Sequence, residues 1–151
     1  MSRSVLFVCL GNICRSPMAA AVAHYEFAHA GLDWQVASAG TGNWHVGQCA
    51  DPRAADCAGA AGFALDQHRG RQVQIDDFHR FDWILAMDQA NLRELKALAP
   101  ANASAQLGLL LQVAGTAPPD EVPDPYFGGR DGFDAVLSLL REAIARLPQR
   151  L

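Results

Sequence analysis

Cys9 and Arg15 stand six positions apart within Val5-Leu6-Phe7-Val8-Cys9-Leu10-Gly11-Asn12-Ile13-Cys14-Arg15-Ser16-Pro17. The residues between them are too few for a regular element, so the backbone must curl. Gly11 and Asn12 are the residue types that tolerate positive φ in such a curl. The amides then point inward and form an anion cradle of phosphate size, reinforced by the positive end of a following helix. A thiol at the base of such a cradle is expected to ionise, since helix N-termini and neighbouring cations favour thiolates. Arg15, expected on the rim, can grip two phosphoryl oxygens at once, as lysine cannot. The chemistry these residues permit is nucleophilic attack by Cys9 on a phosphoryl group. The spacing alone arises by chance about 0.3 times in a chain of this composition, so its weight comes from the elements around it.

Those elements must place Cys9 at a strand end and Arg15 at a helix start. Val5 to Val8 is apolar on successive residues, the pattern of a parallel strand covered on both faces. Ser16 is read as an N-cap and Pro17 as the first helical residue, with the helix running to His29 and Gly31 as its left-handed stop. Trp34 to Ser38 alternates as a second strand, followed by the flexible Gly40-Thr41-Gly42. Asp51-Pro52 caps a helix of small residues reaching Gly62. Asp82 to Met87 is a third strand, and Asp88 caps a helix carrying Leu92, Leu95 and Ala99 that Pro100 ends. Leu107 to Val113 is read as a fourth strand. Phe133, Val136, Leu137, Leu140, Ile144 and Leu147 form the apolar stripe of a last helix, with Asp131 and Asp134 at its start and Arg141 and Arg146 near its end. The alternation predicts an α/β fold over one domain, residues 1–151. It is doubly wound with right-handed βαβ connections, its central four-stranded parallel sheet is flanked by helices, and its ligand lies outside the carboxyl ends of the strands.

Departure of a leaving alkoxide or phenoxide needs a proton, and Asp124 is the candidate donor. It lies in a long Pro-rich connection, Pro118 to Gly129, with aromatic neighbours that would keep a carboxyl protonated near a bound phosphate. A turn-forming Asp before Pro is the commoner meaning of that dipeptide. The string from Val8 to Pro17 resembles the phosphate-binding loop of the low-molecular-weight protein tyrosine phosphatases, and the family's acid lies in an Asp-Pro-Tyr motif that Asp124-Pro125-Tyr126 matches. The resemblance extends through Ser38-Ala-Gly-Thr41-x-x-Trp44, His68-Arg69-x-Arg71-Gln72 and Met87-Asp88-x-x-Asn91-Leu92. It implies that Leu10, Gly11, Asn12, Ile13, Cys14 and Ser16 complete the loop, and that Ser16, Ser38 and His68 hold Asn12 in a strained conformation. As ordinary residues, Ser16 remains a helix cap and His68 a loop histidine. Trp44, Tyr126 and Phe127 are expected to wall a cleft deep enough for a phenyl ring and too deep for phosphoserine, although each is equally compatible with core or loop packing. Where vertebrate members have two tyrosines after Asp-Pro, this chain has Tyr126-Phe127, so regulation through the second is absent. Cys14 is expected to trap an oxidised Cys9 as a disulfide, as members with the same pair are thought to do; its plain alternative is packing beneath the loop.

Composition narrows the rest. The chain has 151 residues, enough to build a core without disulfides or metals, so its 4 cysteines are not a scaffold. A reducing, cytoplasmic setting is expected, with no apolar run long enough for a bilayer. The formal charge of −4, without a basic run, argues against nucleic acid or a membrane surface as partner. Eleven arginines against one lysine, Lys96, reads as genomic bias. His45, Cys49 and Cys57 make no zinc spacing, so no metal or cofactor is expected; Cys57 reads as a small helix-packing residue. The expected partners are phosphotyrosine-containing proteins, a tyrosine kinase among them, with inorganic phosphate or other oxyanions filling the loop. Two rivals share the motif. An arsenate reductase of the same fold relays a disulfide through later cysteines, and none follows Cys57. A cysteine phosphoryl carrier or phosphate-binding module would not need Asp124.

Overall fold

The computed structural model describes residues 2–151. Strand β1, Ser4–Cys9, is buried from Val5 onward and runs between two parallel neighbours. With no polar face, it can only be central. The other strands are β2 (Gln35–Gly40), β3 (Trp83–Ala86) and β4 (Gln106–Leu109), and the sheet order is β2-β1-β3-β4, parallel throughout. Between them run α1 (Arg15–His29), α2 (Pro52–Ala60), the short α3 (Asp77–Arg80), α4 (Gln89–Leu98), α5 (Leu110–Ala114) and α6 (Arg130–Arg146), with a final 3-10 turn over Leu147–Gln149. This is a doubly wound α/β fold. The strand order reverses at β1, so the space beyond Cys9 is the crevice in which such sheets bind ligands.

Side chains alternate across the sheet and build two cores. Val5, Phe7, Leu85 and Met87 face α1, α2 and α6, packing on Met18, Phe27, Phe133 and Ile144. Leu6, Val8, Ile84 and Ala86 face the other side, against Phe78, Phe81, Leu95 and Leu109. The six-residue stripe of α6 is buried as its spacing predicts, with Asp131 in the first turn and Arg146 in the last. Gly31 has φ +74, the left-handed stop expected after α1.

Two local expectations are corrected. The run Leu107 to Val113 is not one strand: β4 ends at Leu109 and Leu110–Ala114 is helical, closed by Gly115 at φ 73. A continuous apolar run carries no period, and the left-handed glycine, a helix stop, was its informative residue. The second correction is at Ser16, which does not cap α1; the helix starts at Arg15 with Cys14 at the N-cap position and no side-chain cap. The Ser16 hydroxyl is engaged in the loop instead.

Candidate active site

The loop from Cys9 to Arg15 turns its carbonyls outward. Thr41 N donates to Cys9 O at 2.9 Å, Gly42 N to Leu10 O at 2.9 Å, and Asp51 N to Ile13 O at 2.9 Å. His68 Nε2 meets Asn12 O at 2.6 Å. In a trans peptide the carbonyl and the next N–H point in opposite directions. Outward carbonyls therefore aim the amides of Leu10, Gly11, Ile13 and Cys14 inward, at the N-terminus of α1. An oxyanion held there meets backbone N–H groups and the helix dipole together.

Asn12 makes this curl possible. Its φ of 58° is the one positive value outside glycine among the described residues, and every polar group of its side chain is used. Nδ2 donates to Ser16 Oγ at 2.8 Å and to Ser38 Oγ at 3.0 Å, while Oδ1 accepts from Arg71 N at 2.9 Å. Such a network over-determines a strained backbone. Ser16 Oγ also lies 3.0 Å from Cys9 Sγ, so one hydroxyl couples the candidate nucleophile to the strained residue. His68 is held below the usual histidine range chiefly by burial, with the Asn12 carbonyl opposing and Arg69's charge reinforcing that effect. It is therefore a neutral donor to Asn12 O at physiological pH.

Arg15 is not on a rim. It is 2% exposed, its Nη1 donating to Asp88 Oδ2 at 2.8 Å and to Val122 O at 2.9 Å. With Nη1 occupied from behind, the remaining edge of the guanidinium fork, Nε and Nη2, is left for a phosphoryl group. Its Nη2 lies 3.8 Å from Asp124 Oδ2, which brings the proposed acid to the mouth of the same cavity. Asp124 is exposed, and its Oδ1 accepts from Tyr126 N at 3.0 Å.

The cavity has a volume of about 180 Å³ and is lined by Cys9, Leu10, Gly11, Ile13, Cys14, Arg15, Trp44, His45, Asp124, Tyr126 and Phe127. The three aromatics expected at the cleft are all there, as rim rather than core: Trp44 is 66% exposed and Phe127 94%. Tyr126 and Phe127 meet edge to face at 5.0 Å. Ser38 and His68 lie behind the loop, where the resemblance implies. Cys14 is buried, and its thiol is pushed up to about 12 by burial first, then by Asp51, Cys9 and Asp124. All four cysteines are free. Cys57 packs in the helical core but also donates to Asp134 Oδ1 at 3.1 Å.

Several site residues were not singled out from the sequence. The sequence marks Asp88 as a cap and as part of the Met87-Asp88 junction; it does cap, accepting from Asn91 N at 2.8 Å, and its other oxygen holds Arg15. His45 lines the cavity with Nδ1 on Gln48 Oε1 at 2.8 Å. Gly40 is required by close approach, because a Cβ there would lie 2.7 Å from Leu10 O. The Met87-Asp88 junction carries a signal for Asp88 and the Ser38-Ala-Gly-Thr41 string one for Gly40, while His45 has none.

The sequence model described as "Low molecular weight phosphotyrosine protein phosphatase" matches residues 4–151. The chain belongs to this family. Among curated relatives, a low molecular weight protein-tyrosine-phosphatase of Streptomyces coelicolor is 45% identical over 148 residues, covering 95% of this chain and 90% of that one. A solved protein tyrosine phosphatase of Entamoeba histolytica superposes with a TM-score of 0.92 at 38% identity, covering 97% of this chain and 95% of that one. A solved Drosophila protein described as an arginine phosphatase gives 0.90 at 37% identity, covering 96% and 95%. In a phosphatase of this family, a cavity that ends on a thiol and opens between aromatic rings has an evident use.

Proposed function

We propose that the protein is a metal-independent protein tyrosine phosphatase that hydrolyses phosphotyrosine through a cysteinyl-phosphate intermediate. Cys9 Sγ attacks phosphorus and the P–O bond to the phenol breaks. Asp124 gives its proton to the departing oxygen, then as carboxylate takes a proton from the water that releases phosphate from sulfur. Loop amides and Arg15 stabilise the transferring phosphoryl group throughout. The observation that carries this reading is the common cavity: a thiol on an inward-facing amide loop, a buried guanidinium behind it, and a carboxyl 3.8 Å from that guanidinium at the mouth.

The apolar lining from Leu10, Ile13, Trp44, Tyr126 and Phe127 suits an aromatic ring. Among the described residues, Asp124 is the one acidic residue lining the cavity. On this reading the substrates are phosphotyrosine-containing proteins, and a tyrosine kinase is one proposed partner. The cytoplasm, where thiols stay reduced, suits a cysteine nucleophile. No helix among the described residues is long and apolar enough to cross a membrane.

The deciding experiment compares turnover of phosphotyrosine, phosphoserine and phosphoarginine peptides and of arsenate with a thiol reductant. Phosphotyrosine should lead by at least tenfold, and quenched enzyme should carry phosphate on Cys9. Cys9→Ser should abolish turnover, by about 10⁴-fold or more, while still binding inorganic phosphate. Faster turnover of phosphoarginine or arsenate would replace the assignment.

A further inference from the structure

Asp124 can protonate a leaving group only if its loop is held at a fixed distance from the Cys9 loop. Upstream of Asp124 that distance is set directly: Arg15 Nη1 donates to Val122 O, Val122 N to Met87 O at 2.8 Å, and Gln89 N to Glu121 Oε2 at 2.7 Å. Downstream, Gly128 N returns only to Pro125 O at 2.9 Å, a local turn. Among the described residues, the hydrogen bonds that tie this side to the rest of the molecule come from Arg53, beside a ring contact of Tyr126 with His45 at 6.4 Å.

Arg53 stands in the first turn of α2, beside the Asp51 whose amide donates to Ile13 O in the phosphate loop. Its Nε meets Asp51 Oδ1 at 3.1 Å and its Nη2 meets Oδ2 at 3.0 Å, so the pair is held side-on. Burial pushes the Asp51 carboxyl up, but hydrogen bonds and charge from Arg53 outweigh it and hold the group below the usual carboxylate range. From this fixed base the fork reaches across: Nη2 donates to Tyr126 O at 2.7 Å and Nη1 to Gly128 O at 2.9 Å. The guanidinium also stacks 4.8 Å from the Phe133 ring centre and 5.5 Å from that of Tyr126. Tyr126, whose carbonyl Arg53 grips, is the residue whose amide donates to the Asp124 carboxylate.

We propose that Arg53 is the positioning residue of the general acid, a strut that links the phosphate loop through Asp51 to the backbone after Asp124. The proposal rests on Asp124 being the acid. A five-donor fork is needed because four side-chain hydrogen bonds, to two carbonyls and both oxygens of a carboxylate, are made at once, more than the three donors of a lysine supply. A merely structural arginine would, when lost, lower activity on every substrate alike. Loss of a strut for the acid should instead slow only those reactions that need the proton.

The test uses kcat/KM for aryl phosphates whose leaving phenols range from strongly to weakly acidic, with wild type, Asp124→Asn, Arg53→Gln, Arg53→Lys and the double variant Arg53→Gln/Asp124→Asn. Asp124→Asn should steepen the dependence on phenol acidity. Arg53→Gln should reproduce that steepening, with a loss of about tenfold or more for the least acidic phenols and under about threefold for the most acidic. Arg53→Lys should fall between, and it serves the same test if the glutamine variant does not fold. In the Asp124→Asn background, Arg53→Gln should change kcat/KM by less than about twofold, since the group it positions is already gone. A uniform loss across phenols, or the same loss repeated in that background, would overturn the role of Arg53 while leaving the acid in place. A flat dependence in Asp124→Asn itself would overturn the acid and the strut together.

Discussion

Two cysteines in one loop, both buried, differ in their surroundings. Cys9 lies at the base of the cradle against Ser16 Oγ, whereas the Cys14 thiol is pushed up to about 12 by burial first and then by Asp51, Cys9 and Asp124. A thiol so firmly protonated is a poor attacker at neutral pH, so it does not compete with Cys9 for phosphate. It can still rescue Cys9. Peroxide oxidises Cys9 to a sulfenic acid, Cys9–SOH, and attack by Cys14 sulfur then expels water and leaves a disulfide. After mild peroxide and then thiol reductant, wild type should recover activity and Cys14→Ser should lose much of it permanently. Disulfide formation, followed by a mass loss of two hydrogens, should quicken by up to about tenfold per pH unit between pH 7 and 9, because the attacking thiol is far below its midpoint. Equal recovery of both proteins would leave Cys14 as packing alone.

Among the elements, the start of α4 has a double task. Asp88 caps that helix with one oxygen and pairs with Arg15 through the other, the arginine side chain being 3% exposed and the carboxylate 22%. Asp88→Asn keeps a good cap but leaves the buried guanidinium only the more distant, 40% exposed Asp124 carboxylate at 3.8 Å as counter-charge. It should cost about 2–4 kcal/mol of stability in urea unfolding, and Asp88→Ala about 1 kcal/mol more for the lost cap. Saturating phosphate should return more stability to Asp88→Asn than to wild type, because the bound anion supplies the missing charge. A variant within 0.5 kcal/mol of wild type, as surface changes usually are, would show that the pair does not matter. This double task also marks where the sequence stops being legible. The first three strands, the α4 cap and the α6 stripe follow from local spacing, and there the chain folds as that spacing predicts. Ser16 was misread for the opposite reason: a Ser-Pro pair is a strong local cap signal, but the nearby Asn12 amide and Cys9 thiol claim the hydroxyl. Leu107 to Val113 failed because an unbroken apolar run has no period to read. Asp88 on Arg15 and Arg53 on Tyr126 join residues 73 positions apart, a distance over which no sequence pattern carries information.

At the scale of the whole molecule, the stability of the fold and the shape of the site meet at His68. Its ring bridges the segment before α3 to the carbonyl of the strained Asn12, so the neutral imidazole stabilises the native loop. Burial, as the main cause, holds its folded pKa below the unfolded value of about 6.5. The unfolded chain therefore binds the proton more readily, and stability must fall as pH drops below about 6.5, until the folded form is protonated too. Above about pH 7 both states are neutral and the effect vanishes. Asp51, held below its usual range with burial opposing and Arg53's hydrogen bonds and charge prevailing, loses its contribution only on further acidification, below about pH 4. The histidine window opens first as pH falls, the Asp51 window later. Chemical unfolding of wild type and His68→Gln at half-unit steps from pH 5 to 8 isolates the first. Glutamine can still donate to Asn12 O but has no proton to gain, so its curve should stay flatter through the window. The difference should approach at most about 1.4 kcal/mol per pH unit, the limit for one proton. Parallel curves from pH 5 to 8 would show that His68 takes its proton as easily folded as unfolded, and would remove it as the link between pH and the loop.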